Sequence, residues 1–218
     1  KITKLMSECQ AMNIPCLGPD VNESEQKFSA NKKGEVRFGL SAIKGMGEAA
    51  AINIIAERHK NGLYKDIFDF VQRVNLSAVN RKAMESLALS GGFDSFGIRR
   101  EQYFAQNAKG DTFVETLLRY GQVYQSEQSS MQNSLFGDMG GVEIQTPPVP
   151  DCEAWSTMEL LKRERELVGI YLSAHPLDDY AVVLNHMCNL HCPQIGREMD
   201  KKAFASIEEL TFGGIVTS

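Results

Sequence analysis

The chain has 218 residues, of which 43% are hydrophobic and 23% are charged, and its formal net charge is −5. This composition is ordinary for a globular protein of one large or two small domains, and the net acidity argues against a uniformly basic nucleic-acid binder. No apolar run approaches the roughly 20 residues that span a bilayer, and no basic-then-apolar leader is present, so we expect neither membrane insertion nor export. Five scattered cysteines, an odd number, are typical of reduced thiols in a cytoplasmic protein.

The first part of the chain predicts a helix and then a short β-hairpin. Apolar residues share one helical face over residues 1–12, and the proline-containing segment Asn13–Asp20 ends that pattern. Residues Gln26–Ala30 and Glu35–Phe38 alternate apolar and polar side chains around Asn31-Lys-Lys-Gly34, which is the pattern of a hairpin.

Helices dominate the middle of the chain. Five are predicted: Glu48–His59, Asp66–Val74, Asn80–Ser90, Arg99–Asn107 and Asp111–Gln125. The first has an apolar side that we expect to be buried, formed by Ala51, Ile52, Ile54 and Ile55. Gly62 is placed to cap its end. Two helix–turn–helix units of similar size therefore follow each other, about 25–30 residues apart. The predicted fold is mainly α with a small β-hairpin.

The sequence changes character after Gln125. Residues 126–150 are polar and rich in Gly and Pro, which predicts a flexible linker too long for an ordinary connection. Helices are predicted again at Ser156–Leu167 and from Leu177 toward Met187. Because the chain opens on Lys1 within a helical pattern and closes on what resembles a first strand, we expect a fragment of a longer protein.

The turn at Gly45-Met46-Gly47 is the strongest functional signal. It precedes a helix whose first amides have no intrahelical partner, and such amides at the positive end of a helix suit a phosphate oxygen. Glycines there allow positive φ and close backbone approach. The predicted phosphate-binding residues are Lys44, Gly45, Met46, Gly47, Glu48 and Arg58, the two basic side chains adding charge. Such contacts would hold a DNA backbone without reading bases. A tight turn between packed helices is the alternative.

Charge supports the phosphate hypothesis locally. Residues 31–65 contain seven Lys and Arg against three Glu, although the whole chain is acidic. Positive charge is thus concentrated around the turn, where a phosphate contact requires it. Clusters of this kind are also common on solvated faces.

A second signal lies in the predicted linker, at Gln132-Asn133-Ser134-Leu135-Phe136. Burying Leu135 and Phe136 would contribute roughly 1.5–3 kcal/mol each, so a polar segment that retains them is typical of a docking peptide. Folding of the pair back onto its own domain is an equal alternative on the residues alone.

Catalytic and metal-binding patterns are weak. Four potential zinc ligands fall within seven residues, at His186, Cys188, His191 and Cys192, but their spacing matches no common site. Polymerases and nucleases need clustered carboxylates, and the nearest candidates, Glu164-Arg-Glu166 and Asp178-Asp179, are predicted to be surface charge. We therefore predict no catalytic residue and no metal site in this chain.

Five segments, taken in order, resemble the bacterial replicative DNA polymerase III alpha subunit family: Gly18–Ser24, Gly39–Gly47, Phe68–Phe70, Ser90–Asp94 and Glu164–Leu177. Together they extend over nearly the whole chain. One departure is Ala174, where the family often has Gly before His-Pro.

The resemblance implies the carboxy-terminal region of that polymerase. In order, its parts would be the end of the fingers region with the β-hairpin (1–38), a tandem helix-hairpin-helix module that holds duplex DNA (39–97), supporting helices (98–125), the linker with a sliding-clamp-binding motif (126–150), a helical connector (151–204) and a truncated first strand of an OB domain (205–218). The clamp-binding residues would be Gln132, Asn133, Ser134, Leu135 and Phe136.

The resemblance also implies an activity that resides elsewhere in the parent protein. Template-directed nucleotidyl transfer would use Mg²⁺ held by aspartates of a palm domain, so no cofactor is expected in this fragment. Duplex DNA, the sliding clamp and other replisome subunits would be the partners. Two alternatives remain: a helix-hairpin-helix protein of DNA repair or recombination, and a helical protein-interaction scaffold that does not bind DNA.

Overall fold

The computed structural model describes residues 2–133, 144–189, 209 and 211–214. Within these ranges the chain forms seven α-helices and one small sheet, which confirms the prediction of a mainly α fold. The helices are α1 (Ile2–Ala11), α2 (Glu48–Asn61), α3 (Ile67–Arg73), α4 (Arg81–Ser90), α5 (Phe113–Asn133), α6 (Thr157–Val168) and α7 (Ala181–Met187). Two compact units are present, residues 1–173 and residues 174–218.

The sheet has three strands of two residues each: β1 (Cys16–Leu17), β2 (Ser29–Ala30) and β3 (Val36–Arg37). The predicted hairpin is confirmed, because β2 and β3 pair antiparallel. The sequence did not predict β1, which runs parallel to β3 on its other side. Two residues are too few for an alternating pattern, and nearby prolines indicated only a break.

Capping residues explain where the central helices begin and end. The Asn80 side chain accepts a hydrogen bond from the Ala83 amide at the start of α4, and Gly91 ends that helix at φ +88°. Gly62 ends α2 as predicted, its amide donating to the Arg58 carbonyl. The buried side of α2 differs from the prediction, however. Ile52 is half exposed, and Ala50 lies in the core instead.

Two predicted helices have different extents. Residues 99–107 form one 3-10 helix, Arg100–Phe104, rather than an α-helix. In contrast, α5 continues past Gln125 to Asn133, so the first eight residues of the predicted linker are helical. The Gln125 side chain donates to the carbonyls of Val71, Gln72 and Val74, which fixes α5 against α3 at this point.

The core of the first unit is centred on an aromatic cluster. The Phe93 ring lies 5.1 Å from Phe70 and 5.5 Å from Tyr103, measured between ring centroids, and all three are fully buried. Helix α3 packs on α5, and α4 packs on both α5 and α6. Helix α6, which we expected in a connector, therefore belongs to the same compact unit as the hairpins.

The prediction that Glu164 is surface charge is wrong, because this residue on α6 is fully buried. One carboxylate oxygen accepts from the amides of Leu172 and Ser173, and the other binds Arg100 at 2.8 Å. Burial disfavours the Arg100 charge, yet hydrogen bonds and ion pairs with Asp94 and Glu164 outweigh it and raise the Arg100 pKa. This buried network fastens α6, together with Leu172 and Ser173, to the rest of the first unit.

In the second unit, a 3-10 turn at Asp178–Tyr180 leads into α7, close to the predicted helix start at Leu177. Asn189 exchanges hydrogen bonds with Thr211. The strand predicted at 205–218 falls mostly outside the described residues. Among the described residues, no helix is long and apolar enough to cross a membrane.

Candidate nucleic-acid interface

The glycine turn connects a 3-10 helix, Leu40–Ala42, to the start of α2. Gly45 has φ +93°, a conformation that other residues rarely adopt. A Cβ atom at this position would lie 2.5 Å from Ser86 Oγ on α4. Both the backbone conformation and the packing against α4 therefore require glycine at position 45.

Gly47 is different, because nothing within the described structure requires it. Its φ of −74° and ψ of 148° are accessible to any residue, and a Cβ atom there would meet nothing within 4 Å. It is the N-cap of α2 but supplies no side-chain cap. The exposed space beside Gly47 leaves room for another molecule to approach the backbone.

Some backbone amides of the turn are bonded within the protein and others are not; the bonded ones include Lys44 and Met46. The Lys44 amide donates to the Leu167 carbonyl at 2.9 Å, and the Met46 amide donates to the Ile43 carbonyl at 3.1 Å. Met46 is also 93% buried, so its predicted role as a phosphate donor is wrong.

The exposed amides lie one step further along the chain. Within the described residues, the amides of Gly47, Glu48 and Ala49 have no hydrogen-bond acceptor, and all three residues are exposed. These are three adjacent donors at the positive end of a 14-residue helix. The arrangement can bind an anion.

Two lysines supply positive charge beside these amides. Lys44 is exposed, and it forms no ion pair within the described part of the chain. Lys82, exposed on the first turn of α4, places its Cε atom 3.4 Å from the Cβ position of Gly45. Sequence reasoning missed Lys82 because it belongs to the second hairpin. The repeated helix–turn–helix pattern was the signal that could have found it. The neighbouring Arg81 is neutralised by Glu85 and Glu115 at 2.7 and 2.5 Å.

Arg58, predicted to add charge at the phosphate site, does not lie there. Its side chain is 94% buried, and its guanidinium donates to the carbonyls of Val21 and Ser24 and to the Glu25 carboxylate. These contacts join α2 to the segment before β2. Arg58 is therefore a structural residue, and its assignment to the phosphate site is corrected.

The turn of the second hairpin, residues 74–80, uses asparagine side chains to bind its own amides. Asn75 Oδ1 accepts from Ser77, and Asn80 Oδ1 accepts from Ala83. The Asn75 amide itself donates to Asn53 Oδ1 on α2. This turn is tied to the protein rather than open to a ligand, in keeping with the packing role predicted for it.

Two other predictions fall partly or wholly outside the described residues. Gln132 and Asn133 are the last two residues of α5, and residues 134–143, which include Ser134, Leu135 and Phe136, are not described. Of the four residues considered for zinc, His186 and Cys188 are described and His191 and Cys192 are not. Across the described ranges, no three His, Cys, Asp or Glu residues are grouped to hold a metal.

Comparison with known proteins agrees with this geometry. The helix-hairpin-helix motif family matches residues 13–103, which include both hairpin turns. The chain is 35% identical over 193 residues to DNA polymerase III subunit alpha of Haemophilus influenzae, covering 85% of the chain and 16% of that protein. The Chlamydia muridarum protein of that name is 40% identical over 179 residues, covering 82% and 14%. The Xylella fastidiosa protein is 30% identical over 215 residues, covering 97% and 17%.

The chain thus spans about a sixth of the length of the relatives it matches. Their similarity extends over most of the chain and is not confined to the hairpins. On these matches, the chain belongs to the DNA polymerase III alpha subunit family.

Proposed function

We propose that this chain is the part of a replicative DNA polymerase that holds duplex DNA by its backbone. The observation that carries the proposal is the row of exposed, unbonded amides at Gly47, Glu48 and Ala49. The family supplies the context, because the relatives are named as subunits of a DNA polymerase.

A phosphate oxygen accepting from these amides would also lie at the positive end of α2. Lys44 and Lys82 would add attraction without bonding to particular bases, since both lie beside the turn and carry point charges. Contacts of this kind set the position of a duplex and make binding salt-dependent but indifferent to sequence.

Under this proposal, the whole protein carries out template-directed DNA synthesis. It acts in the cytoplasm. The nucleotidyl transfer would depend on Mg²⁺ and carboxylates outside this chain, so we assign no catalytic role to any residue here. The chain would contribute by keeping the duplex in place during synthesis.

Fluorescence anisotropy with a labelled duplex tests the DNA contact. Gly47→Val should weaken duplex binding about tenfold or more, because the valine side chain would fill the space through which a phosphate approaches the amides. A hydrogen bond to a charged group contributes about 1.5–3 kcal/mol. The fold should survive, because the added side chain meets open space. Gly18→Val is the matched control, as Gly18 also has open space around its Cβ but lines a cavity beside Arg100. Equal binding by wild type and Gly47→Val would exclude the turn as the DNA site.

We further propose that Gln132–Phe136 docks the polymerase on its sliding clamp. A second attachment to a protein that encircles the same duplex raises the effective concentration of DNA at the turn. The double variant Leu135→Ala/Phe136→Ala should abolish capture of the clamp in a pull-down. Val149→Ala, which removes another exposed apolar side chain, should leave capture intact. Capture that persists in the double variant would refute the motif assignment.

A further inference from the structure

The structure separates the seven basic residues of segment 31–65 by location. Arg58 is buried, and Arg37 is paired with Glu23. Lys60 lies in the last turn of α2, about 18 Å from Glu48 at 1.5 Å per helical residue, and Lys65 follows the end of that helix in the chain. Beyond Lys44, the remaining basic residues are Lys32 and Lys33, at the tip of the β2–β3 hairpin.

The tip that carries these lysines is held rigidly by one side chain. Asn31 Oδ1 accepts from the amides of Lys33 and Glu35 at 2.9 and 3.0 Å, and Asn31 Nδ2 donates to the Glu35 carboxylate. Gly34 completes the turn at φ +81°. Lys32 and Lys33 are exposed and form no ion pair within the described residues.

The base of the same hairpin is hydrogen-bonded to the segment that forms the glycine turn. The Leu40 and Ser41 amides donate to the carbonyls of Glu25 and Gln26, and Gln26 Nε2 donates to the Glu48 carboxylate at 2.8 Å. Gly39 permits this approach, because a Cβ atom there would lie 2.4 Å from the backbone of the segment before β2. The β-hairpin and the start of α2 are therefore packed directly together.

We propose that Lys32 and Lys33 form a second backbone contact on the duplex held at Gly47, extending the footprint along the DNA. The inference rests on the proposed function. From Gln26, beside α2, six residues of extended chain reach at most about 20 Å to Lys32. At 3.4 Å per nucleotide along one strand, this distance is about six base pairs. The hairpin tip is thus within reach of phosphates of the same duplex.

Charge complementarity identifies the occupant as a nucleic-acid backbone. The nearest carboxylate at the tip, Glu35, is hydrogen-bonded by Asn31 rather than paired with a lysine, so the tip carries two lysine charges against one carboxylate. A third exposed lysine, Lys27, lies on the same hairpin and likewise lacks an ion pair within the described part of the chain. A rigid turn presenting lysines suits phosphates spaced regularly along a duplex.

The salt dependence of duplex binding by the 218-residue chain tests this contact. Each phosphate neutralised contributes about −0.9 to the slope of log affinity against log salt. Lys32→Gln/Lys33→Gln should reduce the steepness by about 1.8, so that wild type loses about tenfold more affinity than the variant between 50 and 200 mM salt. Lys60→Gln/Lys65→Gln removes the same charge at the far end of α2 and should leave the slope nearly unchanged.

A series of duplex lengths provides a second measurement. Wild type should gain affinity when the duplex is lengthened by about six base pairs beyond the shortest one bound, whereas Lys32→Gln/Lys33→Gln should not. An unchanged slope in this variant, or equal effects of both double variants, would overturn the hairpin contact. In that case a loss of binding by Gly47→Val would still support the turn. Failure of wild type to bind any duplex would overturn both proposals.

Discussion

The two hairpin turns occupy equivalent places before α2 and α4, yet only α4 begins with a side-chain cap. In the second turn, Asn75 and Asn80 accept hydrogen bonds from the amides of Ser77 and Ala83. In the first turn, glycine stands at the N-cap, and no side chain caps the helix. A side-chain cap typically contributes about 1 kcal/mol, which the second turn gains. The first turn has no such cap, and its exposed amides at Gly47, Glu48 and Ala49 have no acceptor within the described residues.

Under the proposed function, this difference means that one motif serves stability at one copy and binding at the other. A side-chain cap occupies one of the four free amides at a helix N-terminus, so an uncapped end offers one more donor to a phosphate. The comparison also explains why the two glycines of the first turn are not equivalent. Gly45 is required by the fold, and Gly47 is required by nothing inside it. Four substitutions test these assignments.

The largest effect is expected from Glu164→Ala, which loosens α6, the helix whose last turn accepts a hydrogen bond from the first turn. Breaking one side of a buried ion pair costs about 3–5 kcal/mol, and Arg100 would lose its buried partner on α6. Urea unfolding should show this loss. Glu166→Ala, an exposed change on the same helix, should alter stability by less than about 0.5 kcal/mol. Equal effects of the two variants would contradict the buried network.

Hydrogen exchange can locate the damage in Glu164→Ala. The Lys44 amide, which donates to Leu167 at the end of α6, should exchange faster. The Ser77 amide, bonded within the second turn, should change less. Equal acceleration of hydrogen exchange at the Lys44 and Ser77 amides would mean that both turns depend on α6 to the same degree.

The next largest effect is expected from Gly45→Ala. A non-glycine residue at φ +93° costs on the order of 1–3 kcal/mol, and the new Cβ overlaps Ser86 Oγ. Thermal unfolding should therefore occur at a lower temperature. The double variant Gly45→Ala/Ser86→Ala, which removes only the overlapping hydroxyl, should recover the part of the loss that arises from overlap. No recovery would assign the whole cost to the backbone conformation.

Asn80→Ala should have an intermediate effect confined to stability. Losing the cap on α4 should cost about 0.5–2 kcal/mol in urea unfolding. Duplex affinity should be preserved, because the uncapped amides of α2 are untouched. A loss of DNA binding in a folded Asn80→Ala protein would show that the second turn also contacts DNA.

Gly47→Asn should have the smallest effect on stability and the clearest effect on function. Asparagine at the N-cap stabilises a helix by only a few tenths of a kcal/mol relative to glycine. Its side chain would cap the amide of Ala49 or Ala50 and fill the open space beside position 47, so duplex affinity should fall in an anisotropy titration. Retained affinity with a formed cap would separate the DNA site from these amides.

The sequence predicted the features that depend on neighbouring residues. Asn80 and Gly91 marked the ends of α4, and the Asn31–Gly34 tip marked the hairpin, because capping and turn chemistry are local. The family resemblance predicted a helix-hairpin-helix module, and the helix-hairpin-helix family matches residues 13–103.

Features that depend on distant partners could not be predicted. Arg58 looked like a surface charge because its acceptors, the carbonyls of Val21 and Ser24, carry no sequence signal. Glu164 was misassigned for the same reason, since its partner Arg100 is 64 residues away along the chain. Lys82 reaches the first turn only through the packing of α4 beneath Gly45.

The hydrogen bond from Lys44 to Leu167 couples the turn to a helix far along the chain. Thermodynamic linkage is reciprocal, so DNA that favours the folded shape of the turn must favour the docking of α6 by the same free energy. A duplex at the first turn would then slow hydrogen exchange of the Lys44 amide. Conversely, any partner that loosened α6 would lower the affinity for DNA. Under the proposed function, the end of α6 would thus contribute to DNA binding through this hydrogen bond.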